Sequence, residues 1–147
     1  MTADSQDKIQ CLLIDDNEAD NFIHKRAIMK SGLVDTVKVV HDGDEGLLYL
    51  KQEGDFADSD MSPKPDLIFL DINMPRVDGF EFVKRYQEIA PERKADICII
   101  MLSTSENPAD FHRANELEGV DGFIQKPLTM DLTIQTIKDL IERRKMS

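Results

Sequence analysis

The sequence has few positive charges to set against its acidic residues. Its 18 lysine and arginine residues face 29 aspartate and glutamate residues, which leaves a formal net charge of −11. A field of this sign opposes binding to nucleic acid or to an anionic membrane surface. Long apolar runs are also missing, since no stretch approaches the ~18 residues that a membrane-spanning helix needs. The polar first residues, MTADSQDK, lack the basic start and apolar stretch of a signal peptide.

Cysteine is scarce. Cys11 and Cys98 both lie within apolar runs, CLLI and ICIIML, and no second Cys or His stands at metal-ligand spacing from either. We therefore expect two buried thiols that act as small hydrophobic side chains, and no metal pair. Thiols of this kind indicate a reducing cytoplasm.

Two familiar ligand motifs are absent. The chain has no glycine-rich phosphate loop. The stretch from Asp16 to Asp20 is superficially similar to the start of a calcium loop. However, Asn21 stands where that loop needs glycine, and Ala27 stands where it needs a bidentate glutamate. We therefore exclude a calcium site of this type.

Apolar strand-like runs alternate with segments of helical periodicity along the chain. This alternation, and the nearly unbroken apolar character of the third and fourth runs, predict a parallel sheet that is covered by helices on both faces. The fold class is therefore an α/β three-layer sandwich of five strands and five helices. The predicted strands are residues 9–14, 36–40, 66–70, 97–102 and 120–124, and the predicted helices are about residues 18–31, 43–52, 79–90, 107–118 and 130–145.

A length of 147 residues fits one domain. We expect it to span residues 8–147, after a flexible tail of residues 1–7. The segment 52–65, QEGDFADSDMSPKP, is acidic, proline-bearing and aperiodic, and we interpret it as a loop between the second helix and the third strand. Both a solvated linker and a partner-contact loop fit this composition.

Carboxylates stand at the ends of two apolar runs. In LIFLDINMP the third run stops at Asp71, and in LLIDDNEAD the first run stops at Asp15 and Asp16. Ligands of an open parallel sheet bind beyond the carboxyl ends of its strands. If strands one and three are neighbours, three carboxylates meet there, and their repulsion favours a bound cation. Oxygen-only ligands suit Mg²⁺, which also accepts a phosphate oxygen. Any one of these aspartates could instead cap a helix, and Asp16 or Asn17 is placed to start the first one.

Two further polar side chains follow strands. Ser103 ends the fourth run within MLSTS, and Lys126 follows the fifth run within GFIQKP. Each is weak evidence alone, since serine and threonine also cap helices. With the carboxylates they form a set suited to phosphoryl transfer onto a carboxylate: a nucleophile, a metal pocket, a hydroxyl donor and a fixed cation. The predicted product is an aspartyl phosphate.

Taken together, these motifs resemble a known family. The acidic pair in LLIDDNEAD, the stretch LIFLDINMPRVDGFEF, MLSTS after the fourth strand and GFIQKP after the fifth are similar to the response-regulator receiver domains of two-component systems. The resemblance covers about residues 8–145. It implies a doubly wound, flavodoxin-like sheet with strand order 2-1-3-4-5. In that order Cys11 and Cys98 lie two strands apart, about 10 Å, which is too far for a disulfide.

The resemblance implies roles for the residues at the strand ends. Asp71 matches the residue that accepts a phosphoryl group from a histidine kinase, and Lys126 matches the lysine that pairs with that group. Asp15 and Asp16 match the pair that holds Mg²⁺, with Asp16 the more direct ligand. Asn73 is implied to lend its backbone carbonyl to the metal.

The resemblance also implies a switch. Ser103 matches the hydroxyl that moves toward the phosphoryl group, and Phe123 matches the aromatic residue that then turns inward. This movement changes the face made by the fourth helix, the fifth strand and the fifth helix. The family more often has threonine at Ser103 and an aromatic residue at Leu128, but neither departure threatens phosphorylation. Gly79 lies in the loop after the acceptor, where glycine relieves a tight backbone turn.

The long 52–65 loop and MLSTS are similar to those of the cyanobacterial phytochrome response regulators. This likeness implies a phytochrome-like histidine kinase as partner and homodimers through the face described above. The chain ends at IERRKMS, soon after the fifth helix. We therefore expect a stand-alone cytoplasmic regulator that contacts a downstream protein or passes its phosphate to a phosphotransfer protein. We expect no catalysis beyond its own phosphorylation and dephosphorylation.

Two other functions stay open. A haloacid-dehalogenase-type phosphatase also uses a strand-end aspartate, Mg²⁺, a Ser or Thr and a Lys. It typically needs a second acid two residues after the nucleophile, where this chain has Asn73, and a cap domain, which the sequence lacks. A phosphorylation-independent interaction module on the same fold is the other alternative. Such modules tend to lose members of the acidic set, and all of them are present here.

Overall fold

A five-stranded parallel sheet organises the molecule. The computed structural model describes residues 9–58, 63–89, 97–104 and 107–146. Within them the strand order is β2-β1-β3-β4-β5, which confirms the predicted fold class and topology. The strands are β1 (Ile9–Ile14), β2 (Val34–Val40), β3 (Leu67–Asp71), β4 (Cys98–Ser103) and β5 (Gly122–Gln125).

Helices cover both faces of the sheet. Among the helices that the structure describes, none combines the length and the apolar character needed to cross a bilayer. The α-helices of the described residues are α1 (Glu18–Lys30), α2 (Gly43–Lys51), α3 (Gly79–Tyr86), α4 (Pro108–Glu116) and α5 (Met130–Met146).

Four element boundaries differ from the predicted ones by two residues or more. The strand β5 begins at Gly122 instead of residue 120, and the helix α4 ends at Glu116 instead of residue 118. The strand β2 begins two residues early, because Val34 pairs with Ile9 ahead of a register shift. The helix α3 ends at Tyr86 instead of continuing to residue 90. The backbone N–H groups of Glu88 and Ile89 donate to carbonyls only three residues earlier, so the chain tightens into turns there. Residue 90 itself lies outside the described residues.

Alternate residues of the central strand β3 pack into two different apolar layers. Leu67 and Phe69 of β3 face the layer shared with α1 and α5, whereas Ile68 and Leu70 face the layer shared with α2, α3 and α4. All five residues of β3 are buried. The nearly unbroken apolar run therefore reflects a strand that is covered on both sides. Its one carboxylate, Asp71, stands at the end.

The carboxyl ends of the central strands lie side by side. Ile14, the last residue of β1, pairs with Leu70 of β3, and Asp71 pairs with Leu102 of β4. Because parallel strands end at the same edge of a sheet, the residues that follow these positions collect at one place.

The predicted loop contains a short helix. Within residues 52–65 a 3₁₀ helix spans Gly54–Phe56. Tyr49 of α2 holds this segment in two ways. Its ring lies edge-on to Phe56, with 5.3 Å between the ring centroids, and its hydroxyl donates to the Pro63 carbonyl at 2.8 Å. Residues 59–62 lie outside the described residues, as does the predicted tail of residues 1–7.

The two thiols are free and buried, as expected. Cys11 lies on β1 and Cys98 on β4, two strands away. Burial raises the pKa of both thiols, that of Cys98 to about 12. Neither thiol is therefore an activated nucleophile.

Candidate functional site

Three carboxylates meet at the carboxyl edge of the sheet. Asp71 ends β3 and is 4% exposed, while Asp15 follows β1 directly and is fully buried. Asp16, the next residue, is exposed. One carboxylate oxygen from each of the three lies within 4.8 Å of the others. The pairing of β1 with β3 thus brings together the groups that the sequence pattern placed at two separate strand ends.

The start of α1 fixes the position of Asp15. Asn17 caps the helix, and its side-chain oxygen accepts a hydrogen bond from the Asp20 N–H at 3.0 Å. The Asn17 N–H donates to Asp15 Oδ1 at 2.9 Å, and Asn21 Nδ2 donates to the Asp15 carbonyl at 2.9 Å. Of the two residues considered as helix starts, Asn17 is the cap. The Asp16 side chain is therefore not committed to capping.

Lys126 brings a positive charge into this cluster. It follows β5, and its backbone N–H donates to the Ser103 carbonyl at 2.8 Å. Its side chain is 7% exposed, and Nζ lies 2.9 Å from Asp15 Oδ2 and 3.2 Å from Asp71 Oδ1. Oδ2 of Asp20, in the first turn of α1, lies 2.8 Å from the same nitrogen. The ammonium group therefore contacts three carboxylates at once.

Burial and charge shift the pKa values of this group of residues. Burial first, and then the charge of Asp15, raise the pKa of Asp71 from 3.8 to about 6 against the opposing effect of Lys126. Burial alone would lower the pKa of Lys126, but its hydrogen bonds to Asp20 and Asp15 and the charge of Asp71 raise it above the usual range. The lysine is therefore charged at neutral pH. Ionisation of Asp71 in this buried place costs free energy relative to ionisation in water.

The donor set fits a hard divalent cation. Carboxylate oxygens are the ligands that Mg²⁺ and Mn²⁺ prefer. Among the described residues, the single Lys126 ammonium contacts Asp15, Asp20 and Asp71, so negative charges outnumber the positive charge here. Asp16 is the exposed member of the cluster, so an ion can reach it from solvent. The residues present therefore suit the metal that the sequence predicts.

The other predicted residues lie around this cluster. Ser103 ends β4, fully buried, one position beyond the residue that pairs with Asp71. Asn73 is exposed, two residues along the chain from Asp71. Phe123 lies further back on β5, half-buried, and its ring packs edge-on against Phe111 of α4 with 5.5 Å between the centroids. The structure thus brings the acidic set and the lysine together and places Phe123 apart from them.

Asp20 is the site residue that the sequence pattern did not identify. Its partner Lys126 is 106 residues away along the chain, so no local motif contains both. The available signal was spacing. Asp20 lies four residues after Asp16, in the first turn of a helix that begins at the edge where the carboxylates meet.

The loop after β3 packs closely against the acceptor strand. The Gly79 N–H donates to the Ile72 carbonyl at 2.8 Å, and a Cβ at residue 79 would lie 2.8 Å from the Asp71 carbonyl oxygen. Real Cβ atoms do not come so close to a backbone atom. Asp78 caps α3 by accepting from the Glu81 N–H at 2.8 Å. Glycine is therefore needed here for the close approach of two backbone segments.

Comparison with known proteins settles the family. Residues 11–138 match the response regulator receiver domain. The chain belongs to this family. This receiver is 31% identical to the response regulator Rcp1 of Synechocystis over 106 residues, which cover 72% of this chain and 69% of Rcp1.

Solved receiver structures share the fold. A two-component response regulator from Cytophaga hutchinsonii matches the receiver with a TM-score of 0.80 at 27% identity, over 92% of this chain and 98% of that one. The phosphorylated cyanobacterial phytochrome response regulator RcpA gives a TM-score of 0.72 at 33% identity, over 92% of each chain. The Mn²⁺-bound form of Rcp1 gives 0.67 at 26% identity, over 90% of this chain and 91% of that one. The predicted family and its likeness to phytochrome response regulators are confirmed.

Proposed function

We propose that this response regulator accepts a phosphoryl group on Asp71 from a sensor histidine kinase, in a reaction that requires Mg²⁺. The observation that carries the proposal is the setting of Asp71. It is a buried carboxylate at a strand end, 3.2 Å from the Lys126 ammonium and grouped with Asp15 and Asp16. With a pKa of about 6 it is ionised at neutral pH, and an ionised carboxylate beside a fixed cation is a competent nucleophile.

The acidic set supports a magnesium site. Asp15, Asp16 and Asp71 would hold the ion, with Asp16 the more direct ligand and the Asn73 backbone carbonyl a further one. Bound Mg²⁺ supplies positive charge that neutralises the phosphoryl oxygens. The relative Rcp1 has been solved in a Mn²⁺-bound form. Because Mn²⁺ also prefers carboxylate oxygens, that structure supports a divalent cation here.

The chain's own residues supply the nucleophile and the charge stabilisation. A carboxylate oxygen of Asp71 forms the new P–O bond while the P–N bond of a kinase phosphohistidine breaks, and the electron pair of that bond stays on the imidazole. The Lys126 ammonium, already 3.2 Å from Asp71, would bind one phosphoryl oxygen. The Ser103 hydroxyl would donate a hydrogen bond to another. The protein would catalyse only this phosphorylation and the later hydrolysis of the aspartyl phosphate.

Phosphorylation would change the face made by α4, β5 and α5. Movement of Ser103 toward the phosphoryl group would leave space into which Phe123 turns. Because the Phe123 ring packs against Phe111 of α4, this turn would change the exposed surface of α4. That surface would then bind a downstream protein, a phosphotransfer protein or a second copy of the receiver. The relative RcpA has been solved in a phosphorylated form, which supports phosphorylation as the first of these events.

The likeness to phytochrome response regulators also supports a choice of partner. We propose a phytochrome-like histidine kinase as the donor, since the related RcpA is a cyanobacterial phytochrome response regulator. We propose a cytoplasmic location, which the two free thiols favour. The net charge of −11 disfavours nucleic acid and anionic membranes as partners.

Intact mass after incubation with acetyl phosphate and Mg²⁺ tests the proposal. The parent should gain about 80 Da, the mass of one phosphoryl group. The Asp71→Asn variant should gain nothing, and EDTA added before the donor should abolish the gain in the parent. Asp35→Asn, which removes an exposed carboxylate from β2, is the matched control and should behave as the parent does.

Two outcomes would contradict the proposal. A gain in Asp71→Asn equal to that of the parent would place the phosphoryl group elsewhere. No gain in the folded parent, either with acetyl phosphate or with phosphorylated histidine kinases, would favour a phosphorylation-independent interaction module.

A further inference from the structure

The Lys126 ammonium has no N–H group left over. A lysine ammonium carries three N–H donors. In the structure its nitrogen lies 2.9 Å from Asp15 Oδ2, 2.8 Å from Asp20 Oδ2 and 3.2 Å from Asp71 Oδ1. Three carboxylates thus match three donors. A phosphoryl oxygen that arrives on Asp71 would be a further acceptor, so one existing contact has to weaken before the lysine can bind it.

The three carboxylates differ in how easily they can release the lysine. Asp15 is fully buried and Asp71 is 4% exposed. A buried carboxylate that loses its partner is left without water to replace the lost hydrogen bond. The Asp20 side chain is 30% exposed. Water can therefore solvate Asp20 when the lysine leaves, and Asp20 is the partner that the lysine gives up most readily.

The position of Asp20 does not depend on the lysine. Its backbone N–H donates to the Asn17 cap at 3.0 Å, so the first turn of α1 fixes where its side chain begins. Asp20 is not one of the three carboxylates that form the cation cluster in the described residues. It thus belongs to the surroundings of the lysine and not to the proposed metal ligands.

We infer that Asp20 is a positioning residue that holds the Lys126 ammonium on the α1 side of the site and thereby slows phosphoryl transfer to Asp71. This inference rests on the proposed function. Asp20 competes with the phosphoryl oxygens for the lysine, from which its carboxylate oxygen lies 2.8 Å away. Asp20→Ala should leave one lysine N–H available to the phosphoryl group from the start, and Asp20→Asn should leave only a weaker, neutral acceptor in competition with it.

The test measures two quantities on folded, full-length variants. One is the rate constant for phosphorylation by acetyl phosphate at saturating Mg²⁺. The other is the dissociation constant for beryllofluoride, a phosphoryl mimic that binds without a chemical step. In Asp20→Asn and Asp20→Ala we expect about fivefold faster phosphorylation and about fivefold tighter beryllofluoride binding. This factor corresponds to ~1 kcal/mol, the upper range for a partly exposed ion pair. Asp20→Glu, which keeps the charge, should stay near the parent.

Glu18→Gln is the matched control. It removes the same charge from the same helical turn, at an exposed position with no contact to Lys126. It should change neither quantity by more than about twofold if contact with the lysine matters more than the general field.

Two results would overturn the inference alone. In the first, the parent is phosphorylated, but the phosphorylation rate and the beryllofluoride affinity of both Asp20→Asn and Asp20→Ala equal those of the parent or are lower. The other is a Glu18→Gln variant that accelerates as much as they do. If the parent takes up no phosphoryl group at all, the proposed function fails and this inference fails with it.

Discussion

Replacement of Asp71 by asparagine is expected to stabilise the metal-free protein at neutral pH. The carboxylate is 4% exposed, and its pKa rises from 3.8 to about 6 in the folded protein. One pKa unit corresponds to ~1.4 kcal/mol, so ionised Asp71 lowers the free energy of unfolding by about 3 kcal/mol. Asparagine keeps the shape of the side chain and removes the charge. The free energy of unfolding should therefore increase by up to that amount.

The direction of the pH dependence follows from the same shift. A carboxyl group whose pKa is raised on folding binds more protons in the folded state than in the unfolded state. Its contribution to stability therefore falls as the pH rises from 3.8 to about 6, and changes little above that range. Asparagine does not titrate. The advantage of Asp71→Asn should thus be about 3 kcal/mol at pH ~7.5 and shrink to about 1 kcal/mol near pH ~4.5.

Urea denaturation in EDTA at these two pH values measures the difference directly. Asp16→Asn is the comparison variant, since it removes the same charge from the same cluster at an exposed position, and it should give a smaller gain. Saturating Mg²⁺ should stabilise the parent more than Asp71→Asn, because the ion binds the folded carboxylates. The reasoning would be refuted by an Asp71→Asn variant that is no more stable than the parent at neutral pH, or whose advantage is the same at both pH values.

Three further predictions concern residues around this carboxylate and the two thiols. Gly79→Ala should lower the free energy of unfolding by about 1–3 kcal/mol, because its Cβ would lie 2.8 Å from the Asp71 carbonyl oxygen; unchanged urea denaturation would contradict the close approach. Lys126→Met should lower it by about 3 kcal/mol at neutral pH, because buried carboxylates lose their ammonium partner. A smaller loss in an Asp71→Asn background would support this cause. Cys11 and Cys98 should react with a thiol reagent such as DTNB only after unfolding in urea, because both are buried; rapid labelling of the native protein would contradict this.

Much of the fold could be predicted from the sequence because the apolar runs, the helical periodicity and the polar residues at the strand ends all indicated the same parallel sheet. The residues before Asp71 in the run LIFLD are apolar on both faces of β3, a pattern typical of a strand that is covered on both sides. The acid at its end marks the edge where an open parallel sheet binds ligands. The approximate helix ranges followed from periodicity. The early end of α3 at Tyr86 did not, since it depends on hydrogen bonds in the turn after the helix.

The site was predictable only where one strand end supplied the signal. Asp71 and Asp15 each follow an apolar run, so their positions could be derived without knowledge of tertiary structure. The Asp20–Lys126 contact joins α1 to the end of β5 and depends on how the helix is rotated against the sheet. Gly79 was expected to relieve a turn, but the structure shows close backbone packing against Asp71. Neither the Asp20–Lys126 contact nor the packing at Gly79 can be predicted from the periodicity of the sequence.

The expected cost of the ionised Asp71 and the inferred competition of Asp20 for Lys126 lead to one joint prediction. If Asp71 and Asp20 share the Lys126 ammonium, then Asp20→Asn should strengthen the contact between Lys126 and Asp71 and lower the free-energy cost of the ionised Asp71. The stabilisation from Asp71→Asn should then be smaller in the Asp20→Asn background than in the parent, by at least ~0.5 kcal/mol, as expected for residues with a shared partner. Glu18→Gln, without contact to the lysine, should leave that stabilisation unchanged. Additive effects of Asp71→Asn and Asp20→Asn in urea denaturation would mean that the lysine is not shared, and competition for its N–H groups could not then explain slow phosphoryl transfer.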